Sequence, residues 1–288
     1  MTRAVSQPQA DEDSREREFH FTEDDFRAVC RYIGEHAGIV LSEAKRDMVY
    51  SRLARRLRAL DLNRFADYLH LLDRDPDELG QFVNALTTNL TAFFREEHHF
   101  EFLARTLVPA WAADRNRTRL RIWSAGCSTG EEPYSLAMTL AEALPADRDW
   151  DLRILATDLD TEVLARAAQG VYSGERLKGV REERRRRWFL RGRGAHAGQV
   201  RVAPELQDMI TFRQLNLLQE WPFQGPFDVI FCRNVVIYFD KSTQRVLFDR
   251  YADLLTAHGH LFIGHSETLF RVSERFDSLG NTIYRKRQ

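Results

Sequence analysis

The segment that most constrains the fold of this chain is RIWSAGCSTGEEPYS, residues 121–135. A short apolar run leads into a turn that contains Gly126 and Gly130. Pro133 then suits the first turn of a helix, where its missing N–H costs nothing. A glycine-rich turn between a strand and a helix is where open α/β sheets bind nucleotide-like ligands. The segment therefore predicts an α/β sheet with a ligand site at this turn.

Two features of this turn restrict the ligand. The glycines are spaced G-x-x-x-G, which differs from the G-x-G-x-x-G pattern of dinucleotide sites. The predicted helix also begins with two carboxylates, Glu131 and Glu132, and these would repel a phosphate group. We therefore expect a ligand that contains adenosine and carries positive charge at this end.

The alternation of strands and helices continues along the chain. Apolar runs predict further strands at 152–156, 210–214, 227–232 and 259–264, and a final hairpin within 276–284. With the first strand these make about seven strands, which predicts a Rossmann-like α/β sheet that is mostly parallel with an antiparallel edge.

The alternation stops between about 171 and 212, which we interpret as a small inserted subdomain. Within it, residues 188–190 and 199–202 are strand-like and flank a glycine-bearing loop, which predicts a β-hairpin.

A helical pattern precedes the sheet. Residues 1–18 are polar and are expected to form a disordered tail. Residues 19–90 carry apolar side chains at helical spacing in four runs, which predicts a small all-helical domain. The α/β domain then occupies residues 91–288.

Several helix ends can be predicted from residue type. Thr22–Asp25 resembles a capping box for the first helix, and Ser42 and Asn63 are candidate caps for the second and third. A further helix that contains Phe100 is expected to end at Pro109.

Charge and cysteine usage restrict partners and compartment. The chain has 42 basic and 43 acidic side chains, so no overall charge points to nucleic acid. Its three cysteines form no C-x-x-C pair, and no apolar run has the length of a signal-peptide core or a membrane span. We therefore expect a cytoplasmic protein without membrane insertion or a nucleic-acid partner. A monomer is the simplest state.

Two regions are locally basic: residues 41–60 carry a net charge of +4 and residues 181–193 a net charge of +5. On the second predicted helix the basic side chains form one face, which either docks on an acidic partner or only solvates the surface. The arginines of this helix are Arg46, Arg52, Arg55, Arg56 and Arg58.

Polar side chains follow several of the predicted strands. Asp158, Asn216 and the pair Arg233 and Asn234 each come after a strand, as the Gly126 turn does. The ligand crevice of an open α/β sheet lies at that edge. Asp158 is placed to bind ribose hydroxyls, and Asp160 to cap the next helix.

The histidines suggest no metal site. His98 and His99 are adjacent, and neighbours on a helix do not face each other. His265 follows a strand near the crevice and is the one histidine worth attention. The sequence contains no H-E-x-x-H, C-x-x-C, G-x-S-x-G or Walker lysine motif, which argues against zinc enzymes, hydrolases and NTPases.

Four separated motifs carry a family resemblance: NLTAFFRE (89–96), AGCSTGEEPYS (125–135), ATDLD (156–160) and FCRNVVIYFD (231–240). Together with GHSE at 264–267 and the GRGAHAG hairpin tip, they resemble the CheR-type chemotaxis receptor methyltransferases over about residues 20–285. The resemblance implies an S-adenosylmethionine-dependent enzyme that methylates glutamate side chains on the cytoplasmic helices of chemoreceptors. The products would be glutamate methyl esters and S-adenosylhomocysteine.

The chemistry of the residues agrees with this resemblance. S-adenosylmethionine contains adenosine, a sulfonium and an ammonium group but no pyrophosphate, so a carboxylate pair favours its binding. A glutamate with an ordinary pKa of about 4.3 is already ionised near pH 7, so no general base is needed. Catalysis then depends mostly on proximity and orientation.

By resemblance, the cofactor-binding residues are Asn89, Thr91, Arg95, Glu132, Asp158, Asn216, Leu217, Arg233 and Asn234. Glu132 would meet the positive methionine end, and Asn216 and Leu217 would flank the adenine. Arg95 and Tyr238 are the candidates to position the substrate carboxylate and the reacting methyl group. The choice between Glu131 and Glu132 remains open, and Asn89 and Thr91 taken alone could be helix caps.

The resemblance also implies docking surfaces. The basic helix would approach the receptor, and in some members the hairpin tethers a C-terminal receptor peptide; here Arg191, Gly192 and Gly194 lie at its tip. Two alternatives are an NAD-dependent oxidoreductase, which the glycine spacing disfavours, and a non-catalytic receptor-binding adaptor with the same fold.

Overall fold

The computed structural model describes residues 17–288, so most of the predicted tail lies outside the described residues. These residues form two compact units. The first comprises residues 17–32 and 41–86, and the second comprises residues 33–40 and 87–288. No helix in the described part of the chain is long and apolar enough to cross a membrane.

The first unit is helical. Its helices are α1 (Glu23–Ala37, whose last five residues belong to the second unit), α2 (Arg46–Ala59), α3 (Phe65–Leu72) and α4 (Pro76–Leu86). Their buried faces carry the apolar side chains at the predicted spacing, including Phe26, Val29, Leu53, Tyr68 and Phe82.

The helix starts test the predicted caps. The capping box is confirmed, because Thr22 N donates to Asp25 Oδ2 (2.9 Å) and Asp25 N donates to Thr22 Oγ1 (3.0 Å). The other two caps are wrong. Ser42 makes no capping hydrogen bond and precedes a 3₁₀ turn, and Arg64, not Asn63, directly precedes α3.

The second unit contains ten strands. They are β1 (Arg119–Ala125), β2 (Asp151–Asp158), β3 (Val171–Ser173), β4 (Phe189–Arg191), β5 (Gln199–Val202), β6 (Ile210–Gln214), β7 (Phe227–Cys232), β8 (Leu255–Ile263), β9 (Phe276–Gly280) and β10 (Ile283–Lys286).

The main sheet has seven strands in the order β6-β2-β1-β7-β8-β10-β9. The pairs among β6, β2, β1, β7 and β8 are parallel, and β10 is antiparallel to both of its neighbours. This confirms the predicted Rossmann-like sheet with an antiparallel edge. All six residues of β7 are buried, as expected for a central strand covered on both faces.

The helices of the second unit are α5 (His98–Phe102), α6 (Val108–Ala113), α7 (Glu131–Ala143), α8 (Thr161–Gln169), α9 (Glu182–Trp188), α10 (Pro204–Gln207) and α11 (Lys241–Leu254). The predicted helix end at Pro109 is wrong. A π-helical turn at Leu103–Leu107 leads into α6, so Pro109 lies in a first turn where no N–H is required.

The inserted segment forms a second, antiparallel sheet in the order β3-β5-β4. The predicted hairpin is confirmed, with Phe189 opposite Val202 and Arg191 opposite Val200. The sequence had not indicated β3, which pairs Tyr172 with Val200 on the other side of β5.

Candidate functional site

The glycine turn after β1 depends on backbone conformations that favour glycine. Gly126 and Gly130 have φ values of 86° and 95°. The N–H groups of Gly126 and Cys127 donate to Thr157 O at 2.8 and 2.9 Å, which ties the turn to the end of β2. A Cβ atom at position 126 would lie 2.3 Å from Val235 Cγ2. The turn therefore lets the backbone approach the segment after β7 closely.

Asp158, at the end of β2, faces this turn. Its Oδ2 accepts from Ser128 N (2.7 Å) and its Oδ1 from Asp160 N (3.0 Å). Burial raises the pKa of Asp158 to about 6, although both backbone N–H groups favour the ionised form. At neutral pH the half-buried carboxylate is therefore mostly ionised and can accept further hydrogen bonds from a pair of hydroxyl groups.

Asp160 has a different role from Asp158. It is buried, and its Oδ1 accepts from the N–H groups of Glu162 and Val163, which confirms it as the cap of α8. Its Oδ2 accepts from Thr87 Oγ1 (2.9 Å) and Asn89 Nδ2 (2.7 Å). The cap thus also fixes the loop that contains the predicted site residues 89–95.

Asn89 and Thr91 lie in that loop, between the end of α4 at Leu86 and the start of α5 at His98, and the residue that precedes α5 is Glu97. The alternative in which they cap a helix is therefore wrong. Asn89 donates its amide to Asp160, and its carbonyl accepts from Ser128 Oγ at 3.0 Å. The loop is thereby held against both the glycine turn and the end of β2.

The two adjacent glutamates at the start of α7 have different partners. Glu131 is fully buried, accepts from Thr129 Oγ1 (2.6 Å) and lies 2.6 Å from Arg176 Nη2. Glu132 instead accepts from Ser124 Oγ (2.7 Å) and from Arg233 Nη1 (3.1 Å). Burial raises the pKa of Glu132, and the charge of Arg233 opposes that shift.

Arg233 brings two other predicted residues, Glu132 and Arg95, into one cluster. Its side chain is only 2% exposed. Nη1 contacts Glu132, and Nη2 donates to the carbonyl of Arg95 and lies 3.3 Å from Glu96 Oε2. Two carboxylates around one guanidinium leave a net charge of −1, which favours a cationic ligand group.

Glu96 is the main residue of this cluster that sequence reasoning missed, although it ends the NLTAFFRE motif. Its Oε1 accepts from His265 Nδ1 (2.9 Å) and His265 N (3.3 Å). Burial alone would raise the pKa of Glu96, but the His265 hydrogen bond and the Arg233 charge lower it to about 2. His265, singled out from its position after β8, therefore does reach the crevice.

Asn234 follows β7 in a left-handed conformation, with φ of 59°. Its N–H donates to Glu267 Oε2 at 3.0 Å, and the Ile237 N–H donates to Glu267 Oε1 at 3.3 Å. Glu267, from the GHSE motif, thus fixes the loop after β7. A Cβ atom at Gly264 would lie 2.4 Å from Asn234 Nδ2, so glycine is needed there.

Asn216 contacts the last turn of α1, and Tyr238 contacts the segment that follows it. Asn216 Nδ2 donates to His36 O (2.8 Å), and Val40 N donates to Tyr238 O (2.9 Å). Leu217, next to Asn216, is buried. Residues 33–40 therefore belong to the same rim of the sheet, and no sequence motif had indicated this.

The remaining predicted residues lie elsewhere. Arg46, Arg52, Arg55, Arg56 and Arg58 belong to the first unit, and Arg191, Gly192 and Gly194 to the inserted sheet and its tip.

The expectation that His98 and His99 point apart is wrong, because their ring centroids are 4.2 Å apart. Ligand atoms of Glu96, His98 and His99 lie within 4.8 Å of one another. However, Arg233 beside Glu96 disfavours a further cation, and the Asn281 carbonyl contacts both imidazoles.

Comparison with known proteins gives two matches to family models. The model described as "CheR methyltransferase, SAM binding domain" matches residues 89–285, and "CheR methyltransferase, all-alpha domain" matches residues 24–87. Chemotaxis protein methyltransferase 2 of Pseudomonas aeruginosa is 51% identical over 269 residues, which cover 93% of this chain and 95% of that protein. The chemotaxis protein methyltransferase of Salmonella typhimurium is 49% identical over 263 residues, covering 90% and 88%. That of Escherichia coli is also 49% identical, covering 90% and 89%.

Proposed function

Since the chain belongs to the CheR methyltransferase family and is an S-adenosylmethionine-dependent methyltransferase of chemotaxis, we propose that its substrates are glutamate side chains of chemoreceptors. The reaction would form a bond between a glutamate carboxylate oxygen and the methyl carbon and break the bond between that carbon and the sulfonium sulfur. The products are a glutamate methyl ester and S-adenosylhomocysteine.

The observation that carries this proposal is the surplus of carboxylate at a strand-to-helix turn that would otherwise suit a phosphate. Glu132 and Glu96 surround Arg233, and Asp158 lies at the end of β2. These carboxylates fit a ligand with a ribose diol at one end and a sulfonium and an ammonium group at the other. When bound, S-adenosylmethionine supplies the activated methyl group.

We assign the cofactor contacts as follows. Asp158 accepts from the ribose hydroxyls, Glu132 faces the ammonium group, and Leu217 packs against the adenine. Asn89, Thr91, Arg95, Asn216, Arg233 and Asn234 complete the site. The existing hydrogen bonds of Asn89 to Asp160 and of Asn216 to His36 support positioning roles for these two amides.

Residues of this chain need not remove a proton from the substrate, because a glutamate side chain is ionised near pH 7. Their task is to align the attacking oxygen with the methyl carbon and the sulfur and to exclude water. We propose Arg95 and Tyr238 for this alignment. Both are half-buried; Arg95 Nη1 donates to Leu90 O (2.9 Å), and the Tyr238 backbone is held by Val40.

Receptor docking is proposed at two places. We propose that the basic residues of α2 dock on acidic helices of a receptor's cytoplasmic domain and that the reaction takes place in the cytoplasm. In the inserted sheet, β4 is an edge strand that ends at Arg191, and Gly192 follows it. An extended C-terminal receptor peptide could add to this edge by backbone hydrogen bonds.

The test is transfer of labelled methyl from S-adenosylmethionine to receptor-containing membranes. We expect label that is released by mild base, as an ester is, and that is lost when the receptor's acceptor glutamates are changed to alanine. Label that resists base would contradict glutamate as the acceptor. Receptor and cofactor binding without any transfer would favour the non-catalytic adaptor.

A further inference from the structure

The inserted segment contacts the glycine turn after β1 through two side chains that the assignment above leaves unused. Tyr172 of β3 is buried, and its hydroxyl donates to Thr129 O at 2.7 Å. A Cβ atom at Gly130 would lie only 2.8 Å from this hydroxyl, so the tyrosine is in close contact with the turn. Arg176, in the 3₁₀ turn that follows β3, donates from Nη2 to Thr129 Oγ1 at 3.1 Å and lies 2.6 Å from Glu131 Oε1. The insertion therefore holds both the main chain and the side chain of Thr129.

The glycine turn needs such support because part of its backbone is in an unfavourable conformation. Ser128 has φ of 50°, in the left-handed region that residues other than glycine seldom adopt. Such conformations persist where the surrounding contacts fix them. Before Ser128, the Cys127 N–H donates to Thr157 O at 2.9 Å. After Ser128, the contacts of Thr129 with the insertion fix the chain, so Ser128 is held from both sides.

Ser128 connects this turn to two parts of the candidate cofactor site. Its N–H donates to Asp158 Oδ2 at 2.7 Å, and its Oγ donates to Asn89 O at 3.0 Å. The left-handed backbone thus directs one hydrogen bond at the carboxylate assigned to the ribose and another at the loop of Asn89. Release of Thr129 would let Ser128 adopt a commoner conformation, and its N–H would then turn away from Asp158.

We propose that Tyr172 and Arg176 are positioning residues for the cofactor: by holding Thr129, they keep the Ser128 N–H directed at Asp158. The inference rests on the cofactor placement proposed above. Neither side chain needs to touch the cofactor. The inserted segment is then a part of the cofactor site in addition to its proposed role in receptor docking.

The principal test is Tyr172→Phe, which removes one hydroxyl and keeps the buried ring. Calorimetry without receptor measures the dissociation constants of S-adenosylmethionine and S-adenosylhomocysteine. Both should increase about 3- to 10-fold, since the net effect of one hydrogen bond is lost and both molecules contain the ribose. Tyr134→Phe is the matched control, because Tyr134 is also buried and donates to a backbone carbonyl outside the turn, Ala167 O at 2.8 Å. It should leave both constants unchanged.

A pH profile separates positioning from a merely structural role. The Ser128 hydrogen bond favours the ionised form of Asp158, whose pKa is about 6. Loss of this bond raises that pKa, so affinity should begin to fall at a higher pH in Tyr172→Phe than in the wild-type protein. The titratable groups that face Asp158 are Asp160 and Cys127, and both are unchanged in this variant. A loss of stability alone would not move the profile.

Arg176→Gln is the second variant, and Lys178→Gln is its control because Lys178 carries the same charge and is 81% exposed. Only the arginine variant should weaken cofactor binding and shift the profile. Arg176→Gln leaves the buried Glu131 without its ion pair, so Tyr172→Phe decides the matter if this variant does not fold. In receptor methylation, Tyr172→Phe should raise the KM for S-adenosylmethionine, whereas kcat and the KM for receptor should change less than about twofold.

Two kinds of result would overturn the inference, and they can be told apart. If wild-type affinity depends on pH but Tyr172→Phe shows unchanged dissociation constants, or weaker binding with an unshifted profile, the inference alone is wrong. If wild-type affinity is flat between pH 7 and pH 5, the assignment of Asp158 in the proposed function is wrong, and the inference fails with it.

Discussion

Residues of the same type at this site differ in their partners. Asp158 and Asp160 are two positions apart, yet the first is half-buried and faces the glycine turn, and the second caps α8 and holds Asn89. Glu131 and Glu132 are adjacent, yet one lies beside Arg176 and the other beside Arg233. Successive side chains on a helix point about 100° apart, so neighbours of the same residue type can have different partners. Residue type alone therefore does not assign a role.

Asp158 leads to a prediction about pH. If its ionised carboxylate binds the ribose hydroxyls, affinity for S-adenosylmethionine should fall about 10-fold between pH 7 and pH 5, because the pKa of Asp158 is about 6. Asp158→Ala should bind weakly at both pH values. Calorimetry across this range measures the effect, and an affinity that is flat in the wild-type protein would contradict the assignment.

The same group affects stability with the opposite sign. The folded-state pKa of about 6 exceeds the unfolded value of about 3.9, so the folded protein binds this proton more tightly. The contribution of Asp158 to stability therefore increases as pH falls from about 6 to about 4 and is absent above that window. This dependence should disappear in Asp158→Ala, which denaturant unfolding at several pH values can check.

At the level of elements, α2 shows why a basic face is an ambiguous signal. Arg56 Nε donates to Glu78 Oε1 (2.9 Å), and Glu78 is only 4% exposed and also accepts from Tyr68 (2.8 Å). Arg46 donates a hydrogen bond to Glu23, Arg52 to Ala85 O, and Arg58 to Glu18. Arg55 is exposed and pairs with no other described residue. Most of these arginines therefore contribute to the helical unit itself, whatever they add to docking.

We predict that Arg56→Ala and Arg55→Ala differ in stability. Arg56→Ala leaves the buried Glu78 without its ion pair and should lower the free energy of unfolding by about 2–3 kcal/mol. Arg55→Ala removes the same charge from an exposed position and should change it by less than about 0.5 kcal/mol. Urea unfolding measures both. Arg55→Ala is therefore the cleaner probe of receptor binding, because it leaves the Arg56–Glu78 pair intact.

At the level of the whole molecule, the candidate cofactor site lies in the second unit and the basic helix in the first. The site is built from buried and half-buried groups, whereas Arg55 and Arg58 on α2 are exposed. Salt screens exposed charges far more than buried ones. The two functions should therefore respond differently to ionic strength.

We predict that raising the salt concentration from about 50 to 500 mM increases the KM for receptor several-fold, because the Debye length falls well below 10 Å. The dissociation constant for S-adenosylmethionine should change by less than about twofold. Steady-state methylation and calorimetry in the same buffers test this. A receptor KM that does not depend on salt would count against docking through the basic face.

Much of the fold was predictable because it depends on local pattern. The strand and helix periods in residues 119–286 and the antiparallel edge follow from backbone geometry, which residue spacing reports directly. The motifs also predicted which strand ends carry polar side chains, because parallel strands bring their carboxyl ends to one edge. The helix ends predicted at Asn63 and Pro109 were wrong because residue-type preference does not fix where a helix begins or ends. Arg64 directly precedes α3, and a π-helical turn carries the helix past Pro109.

The sequence by itself determined the Rossmann-like sheet, the helical unit before it and a crevice suited to a cationic adenosine cofactor, since these follow from periodicity and from residue type at strand ends. Only the tertiary structure decided that Glu132 rather than Glu131 meets Arg233, that Glu96 joins them, and that Arg56 serves Glu78. Arg233 and Glu132 are 101 positions apart, and Arg56 and Glu78 are 22 apart. Such pairings depend on how distant segments pack, which the spacing of residues along the chain does not encode.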